Sequence, residues 1–140
     1  MKEIILNRIR EYNPGLIGFG CLFSGQFPFV VRHSENIRNN FDVPIVVGGM
    51  HSTIFYQDIL MKCPYIDYVV IGEGEETIVN LANSIQKEVP LSPAVPGIAY
   101  RKKGKVIVNS KQGYIKKLDT IPFPAHELIN LEDYYHNTDN

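Results

Sequence analysis

From residue 16 to residue 85 the chain alternates short, almost wholly apolar runs with longer stretches in which apolar residues return every three or four positions. Runs of the first kind suit strands buried on both faces, and the second spacing marks helices with one face turned to a core. Ile5, Ile9 and Tyr12 predict a first helix, which Asn13-Pro14-Gly15 stops. A strand over 16–21 follows. Pro28 suits a first helical turn, and Val30, Ile37 and Phe41 form an apolar stripe opposite Arg32, Glu35 and Arg38, so a second helix runs to about residue 40. Next come a strand at 43–47 and a helix carrying Ile54, Ile59 and Leu60, which Ser52 or Thr53 can cap and Cys63-Pro64 ends. A strand at 68–71 and a helix marked by Ile78, Leu81, Ala82 and Ile85 complete the series. One helix followed by three strand-helix units with short connections predicts an α/β fold, a Rossmann-like or flavodoxin-like parallel sheet with helices on both faces.

Past Glu88 the pattern changes. Pro90, Pro93 and Pro96 fall close together, which reads as an extended linker rather than another strand-helix unit. Residues 97–101 and 105–109, with Lys102-Lys103-Gly104 between them, predict a small appended β-hairpin, and 114–118 adds a third strand. The final stretch, from Ile121-Pro122-Phe123-Pro124 to Tyr134-Tyr135, has apolar anchors but little core of its own, and reads as a connector that packs on something else. The division expected is a binding domain over 1–88, a linker with hairpin over 89–118, and a connector over 119–140.

Composition narrows the class. The 140 residues are 44% apolar with a net charge of −1, enough chain for one buried core and a balance that suggests neither nucleic acid nor an anionic membrane as partner. No apolar run is long enough to span a bilayer, and Met1-Lys2-Glu3 opens without a secretory core, so a cytoplasmic setting is expected. Cys21 and Cys63 share no CxxC or Cys/His cluster, which excludes a disulfide framework and a zinc or iron–sulfur site built from this chain alone.

Candidate chemistry gathers at two strand ends. Ile45-Val46-Val47 runs into Gly48-Gly49, and Tyr68-Val69-Val70-Ile71 runs into Gly72-Glu73-Gly74, each just before a helix. Open α/β sheets bind ligands at this carboxyl edge. Gly48 and Gly49 permit positive φ and remove two Cβ atoms, so the tail of a large flat ligand can pass close to the backbone; the competing reading is a plain strand-to-helix turn. His51 has no partner that would make it a base, and Ile54 and Phe55 occupy the positions where a second metal ligand would stand, which leaves a polar contact or a helix-start role. Glu73, Glu75 and Glu76 complement a helix amino terminus and would repel a phosphate there.

In order and spacing these elements resemble the cobalamin-binding domain of cobalamin-dependent radical S-adenosylmethionine enzymes. That family repeats a GG-x-H element and a YVV-x-GEGE element, here Gly48-Gly49-Met50-His51 and Tyr68-Val69-Val70-Ile71-Gly72-Glu73-Gly74-Glu75. A short hairpin and an L-D-x-[IL]-P-x-P segment, here Leu118-Asp119-Thr120-Ile121-Pro122-Phe123-Pro124, lead into the radical core. The resemblance covers nearly the whole chain and implies cobalamin as the cofactor. It places Gly20-Cys21-Leu22 where methionine-synthase-type relatives carry S-x-L, whose hydroxyl contacts the buried tail base. Gly20 brings no hydroxyl, so that contact is lost unless Ser24 replaces it. The loop over 23–29 covers the corrin face, shapes the lower axial position or packs on its own core, and Glu73 is expected to accept hydrogen bonds from ribose hydroxyls or corrin amides. Gly20, Cys21, Leu22, Ser24, Gly48, Gly49, Met50, His51, Gly72, Glu73 and Gly74 form the expected cofactor-binding set.

Two departures limit the carry-over. The CxxxCxxC triplet that holds a [4Fe–4S] cluster occurs nowhere, so the cluster and S-adenosylmethionine belong to a radical core in the parent protein, and this chain alone is not expected to catalyse. The family's first strand, its helix and the second strand are also missing, together with the D-x-H-x-x-G loop; none of His33, His51, His126 or His136 sits in that pattern. The strand at 16–21 is therefore expected to lack its inner neighbour, either as part of a longer protein or as an edge completed by oligomerisation. For the parent the resemblance implies methyl transfer from S-adenosylmethionine by way of cobalamin, or ring formation or oxidation as in some relatives. Two other classes stay open: an interaction module that does not bind cobalamin, and a flavodoxin-like flavin or nucleotide binder, for which no Ser/Thr/Gly-rich phosphate loop follows any visible strand.

Overall fold

The computed structural model describes residues 2–89, 95–110 and 113–130. The elements run α1 (Lys2–Tyr12), β1 (Ile17–Gly20), α2 (Phe27–Arg38), β2 (Ile45–Gly48), α3 (Met50–Lys62), β3 (Tyr68–Val70), α4 (Glu75–Gln86), β4 (Ile98–Lys102) and β5 (Lys105–Asn109). The initial helix and the three strand-helix units stand where the periodicity puts them. Asn13 turns the chain out of α1 at φ 44°, and Pro28 sits in the first turn of α2, where its missing N–H costs nothing.

The five strands form one sheet in the order β1-β2-β3-β4-β5. β1, β2 and β3 are parallel, with Gly20 opposite Gly48 and Val47 opposite Val69. The hairpin is continuous with this sheet: β4 lies antiparallel on β3, pairing Val70 with Ile98 and Tyr68 with Tyr100. Its turn places Lys103 at φ 50° and Gly104 at φ 74°, two left-handed residues whose twist matches the flanking strands.

Strand alternation sorts the side chains into two cores. Ile45, Val47, Val69 and Ala99 pack on one face with Val30 and Ile37 of α2 and Ile59 and Leu60 of α3, and Ile5 and Ile9 of α1 close that side. Val46, Val70 and Ile98 point the other way, onto Leu81, Ile78 and Ile85 of α4. Helices therefore cover both faces unequally. On the α4 side, β1 and the end of β2 present Gly18, Gly20 and Gly48 instead of apolar side chains.

Two local expectations are corrected. Neither Ser52 nor Thr53 caps α3. Gly49 is the cap at φ 101°, while the Ser52 hydroxyl donates to the Gly48 carbonyl at 3.2 Å and Thr53 Oγ1 accepts the Gly72 N–H at 3.0 Å. Residues 114–117 form no strand. Gly113, at φ 83°, turns the chain, the Ile115 N–H goes to the Glu73 carboxylate rather than to a ladder, and Leu118–Thr120 is a 3-10 turn. The end of the linker is held as well, since the Thr77 hydroxyl donates to the Pro96 carbonyl at 2.9 Å. Pro90 and Pro93 of the linker, and Tyr134, Tyr135 and His136 of the connector, lie outside the described residues.

Candidate functional site

Gly49 is required by the backbone. A Cβ there would lie 2.5 Å from the Cys21 carbonyl oxygen, because the end of β1 and the start of α3 cross at that point. Two backbone bonds make the crossing: the Cys21 N–H donates to the Gly48 carbonyl at 2.8 Å, and the His51 N–H donates to the Cys21 carbonyl at 3.2 Å. Gly18, Gly20 and Gly48 differ. None has positive φ; a Cβ on Gly18 would meet Val46 Cγ1 at an ordinary 3.7 Å, one on Gly48 would meet Val70 Cβ at 3.6 Å, and one on Gly20 would meet nothing within 4 Å. Their missing side chains leave a bare strip of strand backbone on the face that α4 only half covers.

Over that strip lies an open hollow of about 500 Å³. Gly18, Val46, Gly48 and Val70 form its floor, Ile78 of α4 one wall, and the turn from Gly72 to Glu75 the rim. The floor is backbone and aliphatic carbon, and the acidic residues of the lining, Glu73 and Glu75, belong to the rim, where Glu75 opens the first turn of α4. Such a cleft accepts a flat, largely apolar group with polar ends. A second hollow of about 440 Å³ lies across the same turn, between Tyr56, Ile71, Val108 and Asn109, and shares Gly72 and Glu73 with the first.

Of the residues expected from sequence, Gly48, Gly49, Gly72, Glu73 and Gly74 meet at the first hollow. Gly20 extends its floor along β1 as the register partner of Gly48. Cys21 belongs instead to the opposite core; it is fully buried, its thiol approaches the Phe23 carbonyl at 3.6 Å, and burial raises its pKa. Leu22 and Phe23 are exposed, and both of their N–H groups donate to Gln26 Oε1, which closes the loop on itself. Ser24 has a partner on α3. Its Oγ is hydrogen-bonded to His51 Nδ1 at 3.0 Å, and the His51 ring lies between Phe27 and Phe55 with centroids 4.7 and 4.8 Å away. This Ser24–His51 cluster sits beside exposed Met50, away from the glycine floor. Glu73 already has a partner within the chain, because its Oε2 accepts the Ile115 N–H at 2.8 Å. Among the described residues no group of His, Cys, Asp and Glu could hold a metal ion.

The B12 binding domain family matches residues 2–82, more than half of the chain, spanning α1 through most of α4. The chain belongs to the B12 binding domain family. Relatives extend the likeness beyond that region. The chain is 31% identical over 128 residues to the uncharacterized methyltransferase PH0819 of Pyrococcus horikoshii, covering 90% of this chain and 27% of that protein. It is 33% identical over 132 residues to the anaerobic magnesium-protoporphyrin IX monomethyl ester cyclase of Synechocystis sp., covering 93% and 26% respectively. It thus spans about a quarter of the length of these curated relatives. Among solved structures, the radical S-adenosylmethionine methyltransferase TsrM of Kitasatospora setae, with cobalamin and a [4Fe-4S] cluster bound, shares the fold with a TM-score of 0.68 at 18% identity, over 86% of this chain and 23% of that one.

The glycine floor leaves room for a flat group, since Gly18 and Gly48 line the hollow without a Cβ and neither crowding nor positive φ demands glycine there. Sequence reasoning missed Gly18, Val46, Val70 and Ile78. The signal was present in the alternation Gly18-Phe19-Gly20, which puts two small residues on one face of a strand whose other face is apolar.

Proposed function

We propose that this chain is the cobalamin-carrying part of a larger radical S-adenosylmethionine enzyme, a methyltransferase or a related iron–sulfur oxidoreductase. The observation that carries the reading is the floor of Gly18, Gly20 and Gly48, glycines that neither backbone strain nor crowding demands, under an apolar hollow at the carboxyl edge of the sheet. Gly18, Val46, Gly48, Val70 and Ile78 are the residues assigned to seating the cofactor's nucleotide tail. Gly49 serves the seat indirectly by letting β1 and α3 cross beneath it. When bound, the cofactor supplies group transfer at cobalt; the chain binds it, orients it and keeps water from its tail.

The parent's reaction follows from its relatives as part of the same proposal. One is described as a methyltransferase and another as a cyclase, and the structural neighbour holds cobalamin beside a [4Fe-4S] cluster. In this reading residues 1–88 carry the cofactor, 89–118 complete the sheet, and 119–140 lead toward the radical core that holds the cluster and S-adenosylmethionine. No helix among the described residues is long and apolar enough to cross a membrane. A cytoplasmic setting is part of the proposal, and the near-zero net charge speaks against nucleic acid or an anionic membrane as partner. β1 forms an edge of the described sheet, and pairing of that edge, with a strand of the same protein or of a second copy, belongs to the proposal.

The test compares hydroxocobalamin with cobinamide, which keeps the corrin but lacks the nucleotide tail, in spectral titrations of the chain. A tail seated on the glycine floor makes cobalamin the tighter ligand by about tenfold or more. Equal affinities would remove the hollow from the site.

A further inference from the structure

Gly72 and Glu73 form a wall common to the two hollows. The turn they belong to is held on one side by α3, through the Gly72 N–H on Thr53 Oγ1. On the other side the Glu73 carboxylate reaches Ile115 and accepts its N–H. Ile115 lies just past the point where Gly113 turns the chain away from the hairpin, in the stretch that runs on to Leu118–Thr120 and the Pro122-Phe123-Pro124 segment. Among the described residues the side chains of this stretch are largely exposed: Tyr114 is 83% exposed and Phe123 is 97% exposed. Glu73 itself stands between Gly72, at φ 73°, and Gly74, so the backbone on both sides of it can turn at low cost.

From these contacts we infer that Glu73 is a positioning residue, which couples occupancy of the cobalamin groove to the setting of the connector that leaves this domain. The inference rests on the cobalamin reading above. A group lying against Gly48 and Gly72 restricts the turn over 72–74. The turn, through the Glu73 carboxylate, then restricts Ile115 and the chain that follows it. The carboxylate acts on the connector rather than on the ligand, which separates this role from the ligand contact expected from sequence. Because such coupling is reciprocal, an ordered connector also tightens the grip on the cofactor.

The experiment is amide hydrogen exchange of the chain, read at Ile115, with and without saturating hydroxocobalamin, in the wild type and in the Glu73→Ala and Glu73→Gln variants. The visible spectrum of each sample reports how much cobalamin is bound. In the wild type, bound cobalamin is expected to slow exchange at Ile115 by roughly fivefold or more. Glu73→Ala should lose that response even when enough cobalamin is added to saturate it, and Glu73→Gln, which keeps an acceptor oxygen, should retain it. Cobalamin bound with no change at Ile115 overturns the coupling while leaving the cofactor reading intact, and so does a response that survives in saturated Glu73→Ala. A colourless protein overturns both.

Discussion

Two kinds of glycine meet at the carboxyl edge, and substitution separates them. Gly49 combines φ 101° with a Cβ position 2.5 Å from the Cys21 carbonyl, so Gly49→Ala should destabilise the domain by about 2 kcal/mol or more, seen as a lower urea midpoint. Replacing Gly49 therefore tests the fold before it tests the ligand. Gly18 is the cleaner probe. Gly18→Val gains strand propensity and its Cβ would meet Val46 Cγ1 at an ordinary 3.7 Å, so stability should stay within about 1 kcal/mol of wild type while cobalamin affinity falls by about tenfold or more. Unchanged affinity with an intact fold would refute the seat. Burial also sets the behaviour of the two thiols. Cys21 and Cys63 are raised above the ordinary thiol pKa mainly by desolvation, so the folded protein keeps protons that the unfolded chain gives up at alkaline pH. That stabilisation is whole below the ordinary thiol range and is lost as pH rises through the shifted values, so thermal unfolding should move to lower temperature on going from neutral to alkaline solution. A cysteine-free variant of equal packing should show a smaller drop.

At the scale of elements, Arg101 of β4 joins the hairpin to the α/β part beyond the β3–β4 ladder. Its guanidinium donates to the carbonyls of Leu60, Cys63, Pro64 and Ile66, closing the carboxyl end of α3 and the loop that leads into β3. Arg101→Ala leaves those carbonyls to compete for water and should cost about 2–4 kcal/mol, measured by urea unfolding; a change below about 0.5 kcal/mol would mean that the fork is not needed. Lys cannot reproduce its geometry and should recover little. Elements that rest on periodicity were legible in the sequence: α2 and α4 carry clear apolar stripes, and β2 and β3 read as continuous apolar runs. What escaped depended on contacts between distant segments. The Gly49 cap is dictated by Cys21, 28 residues earlier in the chain, and the strand expected at 114–118 is absent because the Ile115 N–H finds a carboxylate 42 residues away. Neither pairing leaves a local pattern.

The described residues form an asymmetric sandwich in which α1, α2 and α3 bury one face of the sheet and α4 buries only part of the other. The uncovered part is the glycine floor. Position along the chain gave Gly48, Gly49 and the Gly72-Glu73-Gly74 turn, because strand ends that run into glycine are visible in one dimension. It did not give Gly18, Val70 or Ile78, which join the site only once parallel pairing and strand alternation bring three strands and a helix together. Nor did it show that Ser24 is engaged by His51. This incompletely covered face is the proposed seat of cobalamin. Gel filtration of the purified chain with excess hydroxocobalamin, reading the visible spectrum of the protein peak, tests it most directly. Co-elution of a shifted corrin spectrum, lost in Gly18→Val, is the result predicted; a folded, colourless wild-type peak would contradict the claim.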